Sequence, residues 1–577
     1  MTCTMLNQIL FITEPTLFQL RGRALECLGH VAVAIGKEHF TPYFELGMRS
    51  AMQGLQVEDS ALKEHSFIYF ANAVKVMGHT FDQHLKEMVP FLAGVICEPE
   101  LSPFEDAETK LAELGAEDDE EDDEGGGKFL LNTQDGFVDT KKAALTALGA
   151  LAEHTKGAFY PYLESTLNDV LLSEDGALNS YHQAIRSEAA VILEYMVGVA
   201  CDYTKLEKPP KHQTIVLNPQ VTEMVRAVML TYVTALDDVE KEPVAAALIG
   251  ICGVLELVGV AALSVANPID NSQLGQTLVK KLHDVLKEKL PCQKIEKHET
   301  HHTGEDDDDD DHDNVVMDAA TDTIAYMAKA AGSAFEGYYQ TLHKPLMKFT
   351  KSNRPFTDRA MAIGCVAEVL AEFDSAAASK YVDSILPIIA ESLQDRMEEV
   401  RRNGVYCLGV MCTSVGAPLV SHYPRFLQML HPLCVRPAEQ MVAGDVGGAD
   451  VDNALSAVAK MINVSADAMP LPQVLPAMIA ALPLRADLTE AASVYGCFIQ
   501  LITSGNATAL GMLPQLLTSL AQVISSTSLY EDGAKALVVT FFKQMASNPS
   551  QQAALTAALG QISDADIRGV IEAAVRS

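Results

Sequence analysis

The sequence predicts an all-α protein, an α-solenoid (superhelix) of HEAT repeats, from three observations. Ala and Leu dominate a chain that is 48% hydrophobic but only 6% aromatic, which favours packed helices over β-sandwiches or barrels. A pattern of a small-residue helix, a glycine and an aromatic step recurs along the chain. Its copies lie about 37–50 residues apart, the period of HEAT or armadillo helix pairs. Because one pair cannot bury its own apolar face, the pairs are expected to stack.

The recurring pattern also predicts where each helix ends. The small residues of the first helix allow close helix packing, and the glycine supplies a left-handed cap. An aromatic residue then leads into a second helix. The inner helices of successive pairs are expected to line one continuous concave surface. The clearest copies are residues 23–45, 144–164, 319–340 and 404–428, with the glycines Gly36, Gly157, Gly332 and Gly416.

Two acidic runs interrupt the repeats. Residues 117–124 are eight consecutive acids and residues 305–311 are seven more. Such runs repel themselves and bury no apolar area, so we expect disordered loops. Pro209-Pro210 marks a linker. The predicted organisation is HEAT repeats at 1–100, an acidic loop at 101–136, repeats at 137–204, a linker at 205–219, repeats at 220–291, a His/Asp-rich acidic loop at 292–316, and repeats with a candidate binding surface at 317–577.

The charge balance limits the classes of partner. The formal net charge is −35, so binding of nucleic acid through a basic field is not expected. Without the acidic runs a formal charge of about −20 remains, which predicts an acidic folded surface.

The 11 cysteines include no CxxC pair, which is typical of reduced thiols in an intracellular protein. The first residues lack a basic region, so no secretory signal is expected.

One apolar stretch is long enough to span a bilayer. Residues 244–266 are interrupted only by Glu256. They include several small residues and lack an aromatic belt or a basic cluster at one end. We therefore expect a buried inner helix followed by the start of its neighbour, and no membrane contact.

The sequence contains only weak matches to known enzyme motifs. Residues 298–302 spell HExxH, a spacing that in zinc proteases places two His on one helical face. Here the flanks are polar, and no apolar helix supports the site. We expect a solvated loop, with adventitious metal binding or a metalloprotease as alternatives. The run Gly125-Gly126-Gly127-Lys128 lacks phosphate-loop spacing. We therefore expect neither catalysis nor a cofactor.

Polar residues recur near the predicted starts of the inner helices. Aligned by their small residues, the repeats bring Asn403, Asn453, Glu490 and Asp532 to one position. Carboxylates bind Lys or Arg, and amides can hold a peptide backbone. The alternative is that these residues cap helix N-termini. As a group, they favour binding of an extended basic peptide.

At residues 14–29, 401–404, 452–462 and 482–496 the chain resembles the importin-β superfamily of nuclear transport receptors, particularly the carboxy-terminal half of the importin four branch. The resemblance covers essentially the whole chain. It implies an α-solenoid that carries proteins through nuclear pores and releases them on binding the GTPase Ran. It also implies that the main Ran-binding region, in the family's N-terminal repeats, is missing here.

The resemblance also implies a cargo and a site. The branch imports histones and ribosomal proteins, so we expect Lys-rich nuclear localization signals as ligands and no nucleic acid. Ran and nucleoporins are expected partners of the full-length receptor, which would be a monomer moving between cytoplasm and nucleus. A HEAT scaffold or a chaperone-like histone binder is the alternative. The expected cargo-binding residues are Asn453 and Glu490 by resemblance, Asp452 and Asn403 nearby, Asp532, and the acidic pairs Asp318/Asp322 and Glu368/Glu372.

Overall fold

The structure is a computed structural model. It describes residues 6, 8–100, 123–266, 272–294, 315–435, 448–526 and 532–576. In the segment that begins at 123, side chains are described from residue 136 onwards, and in the segment that begins at 532 they are described from residue 533 onwards. In this part of the chain all regular structure is helical, apart from one isolated bridge between Ala266 and Gln273. The chain forms two compact units, Met1–Ala331 and Gly332–Ser577.

The first unit contains eleven α-helices among the described residues. Several are joined by short 3₁₀ turns. The helices are α1 Phe18–Gly54, α2 Ser60–Met77, α3 Leu85–Ile96, α4 Asp123–Thr155, α5 Leu163–Ser165, α6 Gln183–Tyr203, α7 Pro219–Ala235, α8 Lys241–Val258, α9 Ala261–Ser264, α10 Leu274–Val285 and α11 Val315–Ala331.

The second unit continues the same alternation of paired helices. Its helices are α12 Glu336–Leu346, α13 Phe356–Glu372, α14 Ser375–Ser379, α15 Val382–Ser392, α16 Glu398–Val415, α17 Tyr423–Cys434, α18 Ala449–Val464, α19 Leu471–Ala481, α20 Ala491–Thr503, α21 Ala507–Gly511, α22 Leu513–Ser525, α23 Asp532–Ser547, α24 Pro549–Leu559 and α25 Ala565–Arg576.

The second helix of each pair packs on the second helix of the next pair. We call these helices the B row and their partners the A row. In the first unit the B row is the first half of α1, then α2, α4, α6, α8 and α11; in the second it is α13, α16, α18, α20 and α23. Stacked pairs of this kind confirm the predicted all-α solenoid fold.

Most of the predicted glycine caps are present. The long helix α1 is broken at one of them, Gly36, where the backbone leaves helical geometry with a φ of 73°. The prediction for Gly157 is wrong: the left-handed residue is Lys156, with a φ of 51°. Gly157 instead donates its N–H to Asp202 Oδ2 at 2.9 Å. The absence of a side chain lets its backbone lie close to the end of α6. The predicted glycines with positive φ are Gly36, Gly332 and Gly416.

An arginine–aspartate ladder joins successive repeats. An Arg near the start of a B helix reaches an Asp at the start of, or in the turn before, the following B helix, at N–O distances of 2.7–2.8 Å. The paired side chains are half-buried or buried, and two of the pairs form two charge-assisted hydrogen bonds each, which makes them strong. The pairs are Arg186–Asp238, Arg359–Asp395 and Arg401–Asp450.

The apolar stretch 244–266 forms α8 and α9, and most of α8 is buried against the neighbouring helices α6, α7 and α11. Among the described residues, none of the helices has the length and hydropathy needed to cross a bilayer.

The predicted insertions are only partly described. The acidic loop at 101–136 overlaps α4, which begins at Asp123, so its last residues are helical. The predicted linker at 205–219 nearly coincides with residues 204–218, which connect α6 to α7 without a helix; Pro219 already begins α7. The acidic run at 305–311 and the HExxH sequence at 298–302 lie outside the described residues. Within the described ranges, no group of three or more His, Cys, Asp or Glu side chains could hold a metal ion.

Candidate functional site

Two of the predicted cargo-binding residues are buried and bonded internally. Asp452 is 3% exposed, and its Oδ2 accepts hydrogen bonds from the backbone N–H groups of Arg485, Ala486 and Asp487 at 2.7–2.9 Å. Asn453 is 2% exposed and donates to Asp487 Oδ2 at 2.8 Å. Burial raises the pKa of Asp452. Both side chains therefore hold the loop before α20, and cargo would reach them only if that loop opened.

The amide of Asn403 connects two B helices. The residue is half-buried in α16, and its Nδ2 donates to the carbonyl oxygen of Ala360 in α13 at 2.7 Å. Asp532, the last member of the predicted group, begins α23, but its side chain lies outside the described residues. The four residues therefore do lie at or near the starts of consecutive B helices, as the alignment predicted. Only Asn403 combines partial exposure with a described side chain.

Glu490 already has a lysine. It is 7% exposed, and Lys460 Nζ lies 3.1 Å from its Oε2. The same ammonium lies over the ring of Tyr406, 5.2 Å from its centroid, and Tyr406 Oη donates to Glu368 Oε1 at 3.0 Å. Burial, and then the charge of Glu368, raise the pKa of Tyr406. This network reaches from α13 to the start of α20, and an internal lysine occupies the place that sequence reasoning gave to a cargo lysine.

The predicted acidic pairs lie on B helices with solvent access. Asp318 and Asp322 are exposed on α11 of the first unit, and partial desolvation by neighbouring atoms raises the pKa of Asp322. In the second unit, Glu368 is exposed and Glu372 is half-buried on α13. All four remain candidate cation-binding groups.

A row of carboxylates in the first unit was missed by sequence reasoning. Glu153 of α4, Glu194 of α6 and Glu256 of α8 stand on consecutive B helices, and Asp322 continues the row on α11. Glu153 and Glu256 are exposed, whereas Glu194 is half-buried. We call these four side chains the carboxylate row. The missed signal is an apolar-apolar-Glu triplet that recurs in the helices, at 151–153, 192–194 and 254–256.

The centre of the carboxylate row is Glu194. Burial, followed by the charges of Glu153 and Glu256, raises the pKa of Glu194 to about 7. Its carboxyl group lies directly over Gly253 of α8, where an added Cβ atom would overlap the carboxyl oxygens. Glycine at this position is what allows the carboxyl group to fit between the two helices.

A pocket opens beside Glu194. It has a volume of about 350 Å³ and lies between the ends of α4 and α6. Its lining combines carboxylates with an aromatic ring and aliphatic walls, which suits the ammonium and the methylene stem of a lysine. The lining includes Glu153, Lys156, Glu194, Tyr195, Asp202 and Leu206.

The stacked helix pairs and the arginine–aspartate ladder define the class of protein as a HEAT-repeat α-solenoid. In agreement, residues 385–415, which cover most of α15 and α16, match the HEAT repeat family. Among solved structures, the chain is similar to the karyopherin Kap121p bound to the SUMO protease Ulp1p, with a TM-score of 0.68 and 16% identity over 99% of this chain and 49% of that one. Kap121p bound to RanGTP gives a TM-score of 0.63 and 15% identity, covering 99% and 50%.

Proteins of similar sequence indicate which α-solenoid proteins the chain resembles. The chain is 26% identical to the probable importin subunit beta-4 of Schizosaccharomyces pombe, over 94% of this chain and 51% of that protein. It is 27% identical to human importin-4, over 95% and 50%. These homologues confirm the resemblance to the importin-4 branch of the importin-β superfamily. The chain spans about half the length of the curated relatives it matches.

Proposed function

We propose that this chain is the cargo-binding part of a nuclear import receptor, and that it binds extended Lys-rich segments of basic proteins such as histones and ribosomal proteins. Its similarity to importin-4 proteins supports the transport role. In this proposal Ran and nucleoporins are partners of the full-length receptor, which moves between cytoplasm and nucleus.

The observation that carries the proposal is the carboxylate row. Burial, followed by the charges of Glu153 and Glu256, keeps Glu194 partly protonated near neutral pH. A lysine ammonium placed among them would relieve this repulsion and restore the charge of Glu194. A cation that binds beside Glu194 therefore gains from the charge that it restores there, which is the property expected of a binding site.

The spacing of the B helices suggests the form of the ligand. Packed helices lie about 8–10 Å apart, and an extended chain advances about 3.3 Å per residue. A peptide running along the row would therefore bring a lysine to each successive helix about every third residue. Asp318, Glu368 and Glu372 are further cation-binding candidates, and Asn403 is a candidate backbone clamp.

The buried candidates need a rearrangement before they can bind cargo. Glu490 takes part only if a cargo lysine displaces Lys460. Asp452 and Asn453 take part only if the loop that they hold before α20 opens. The accessible carboxylates therefore form the primary site of the proposal.

A charge-neutral double variant tests the proposal. Glu194→Gln with Glu256→Gln keeps the shape of both side chains but removes their charges, so we expect a histone amino-terminal tail peptide to bind at least tenfold more weakly in calorimetry. The matched control is Glu164→Gln with Glu174→Gln, two exposed acids outside the B row. It removes at least as much charge, and we expect less than a twofold effect at about 0.15 M salt, where long-range attraction is screened.

Equal affinities of the two double variants would reject the carboxylate row as the site. Two alternatives remain as outcomes of the same experiment. A HEAT scaffold would ignore isolated basic tails and bind folded partners instead. A chaperone-like histone binder would bind the tails, but it would not carry them into nuclei in a permeabilised-cell import assay with the full-length receptor.

A further inference from the structure

A basic segment of the chain itself crosses the carboxylate row. Residues 204–218 connect α6 to α7, and we call them the strap. The strap carries Lys205, Lys208 and Lys211 around Pro209-Pro210. Two consecutive prolines have no N–H groups to donate and favour an extended backbone, so the segment cannot fold into a helix there. The strap is therefore a non-helical, Lys-bearing segment. It turns after Pro210, whose carbonyl oxygen accepts from the N–H of Gln213 at 3.1 Å, and its lysines have the same chemistry as those of the proposed cargo.

The strap is seated on the B row by specific contacts. Lys208 Nζ lies 3.1 Å from Glu256 Oε1. Pro209 packs on the end of α8, where a Cβ atom at Gly259 would stand 3.1 Å from Pro209 Cγ. Beyond this point, Lys211 and His212 line a pocket of about 220 Å³ together with Tyr326 and Lys329 of α11.

The other end of the strap reaches the centre of the row. Leu206 lines the pocket that contains Glu153, Glu194 and Asp202. The strap thus bounds the Glu194 pocket, pairs with Glu256 and shares a pocket with α11, so it covers the path that a cargo peptide would follow along three B helices.

We propose that the strap is an intramolecular competitor that basic cargo must displace from the carboxylate row. This inference rests on the proposed function. The contact is built to be displaced: the side chains of Lys208 and Glu256 are 71% and 49% exposed, and an ion pair so exposed contributes little. The covalent connection gives the strap a high effective concentration at the row. It therefore excludes ligands with a single lysine, whereas a segment with several lysines displaces it.

The test removes the lysines of the strap in the full chain. Lys208→Ala with Lys211→Ala shortens both competing side chains, and a fluorescein-labelled Lys-rich histone-tail peptide without acidic residues should then bind at least threefold more tightly in fluorescence anisotropy. The control is Lys280→Ala with Lys287→Ala, exposed lysines of α10 and of the turn after it. This variant gains the same negative charge without touching the strap, and its affinity should change less than twofold.

A second measurement follows the strap directly. Cleavage by the protease Glu-C after Glu207 is quantified by mass spectrometry with and without the same peptide. Because displaced backbone is more accessible, saturating peptide should accelerate this cleavage at least threefold in the wild type, relative to sites in the A row.

The outcomes separate this inference from the proposed function. If the wild type binds the peptide, but the strap variant binds equally and cleavage after Glu207 is unchanged, the strap is not a competitor and the proposed function stands. If only the strap variant binds the peptide, the competitor role of the strap and the proposed function are both supported. If neither binds, both are rejected.

Discussion

At the scale of single residues, Glu194 is the central group of the proposed site. Its carboxyl group is held between two B helices because Gly253 leaves room for it. Burial raises its pKa to about 7, with Glu153 and Glu256 adding to the effect. The other titratable groups around the pocket are Lys156, Tyr195, Cys201 and Asp202. Glu194 is thus a group whose charge changes near neutral pH.

This pKa predicts a pH dependence of binding. Glu194 loses its proton as the pH rises through about 7, so the affinity for a His-free Lys-rich peptide should increase severalfold between pH 6 and pH 8. Calorimetry at the two pH values measures the increase. Glu194→Gln should bind weakly at both. An equally steep dependence in that variant would assign the titration to another group, such as His154 beside Glu153.

The same pKa predicts that the contribution of Glu194 to folding stability falls as the pH rises, whereas the affinity for the peptide increases. A carboxyl whose pKa is raised on folding stabilises the fold below its unfolded value, and this contribution is lost as the pH rises through about 7. At pH 8, Glu194→Gln should therefore be more stable than the wild type, by about 1–2 kcal/mol after allowance for solvent screening. Urea unfolding at pH 8 checks this, and at pH 4 the difference should vanish.

The limits of sequence reasoning also lie at this scale. Asn453 and Asp452 are polar residues at the start of a helix, and a sequence does not distinguish a binding group from one that bonds a neighbouring loop. The distinction depends on residues 485–487, which lie more than 30 positions away in the chain. For Glu490, no local pattern indicates that Lys460, on the preceding B helix, reaches its carboxylate.

At the scale of helices, prediction was more successful, because each repeat depends on local pattern. The all-α solenoid, the helix pairs and three of the four glycine caps follow from spacing and small residues alone. Gly157 was misassigned because a cap one residue earlier, at Lys156, satisfies the same helix end. The carboxylate row was missed because its members are spaced unevenly, by 41 residues between Glu153 and Glu194 and by 62 between Glu194 and Glu256.

The arginine–aspartate ladder gives a prediction at this scale. Arg401 pairs with Asp450, which is completely buried, and also donates to the carbonyl oxygen of Asp395. Arg401→Ala removes the cation that faces this buried carboxylate, and breaking a buried pair in this way typically costs about 3–5 kcal/mol. We expect faster hydrogen exchange in α16 and α18 and a lower urea midpoint. Arg425→Ala, at an exposed position of α17, is the control and should behave as the wild type. Unchanged exchange in α16 would show that the ladder does not hold the repeats together.

At the scale of the whole molecule, charge and architecture act together. The chain carries a formal charge of −35, which accelerates encounters with basic proteins without choosing among them. Selectivity requires carboxylates at fixed spacing, and stacked helices supply that spacing because each repeat places one B helix beside the next. In the proposal, the strap then sets the number of lysines that a ligand needs.

Zero-length crosslinking tests most directly whether basic cargo lies on the carboxylate row. A carbodiimide couples a lysine amine to a carboxylate that it touches, and mass spectrometry identifies the coupled residues. With a Lys-rich histone-tail peptide and the full chain, we predict crosslinks at Glu153, Glu194 and Glu256, together with loss of the intramolecular link between Lys208 and Glu256. Crosslinks confined to the acidic runs or to A-row acids, with the Lys208–Glu256 link intact, would contradict the claim that basic cargo lies on the carboxylate row.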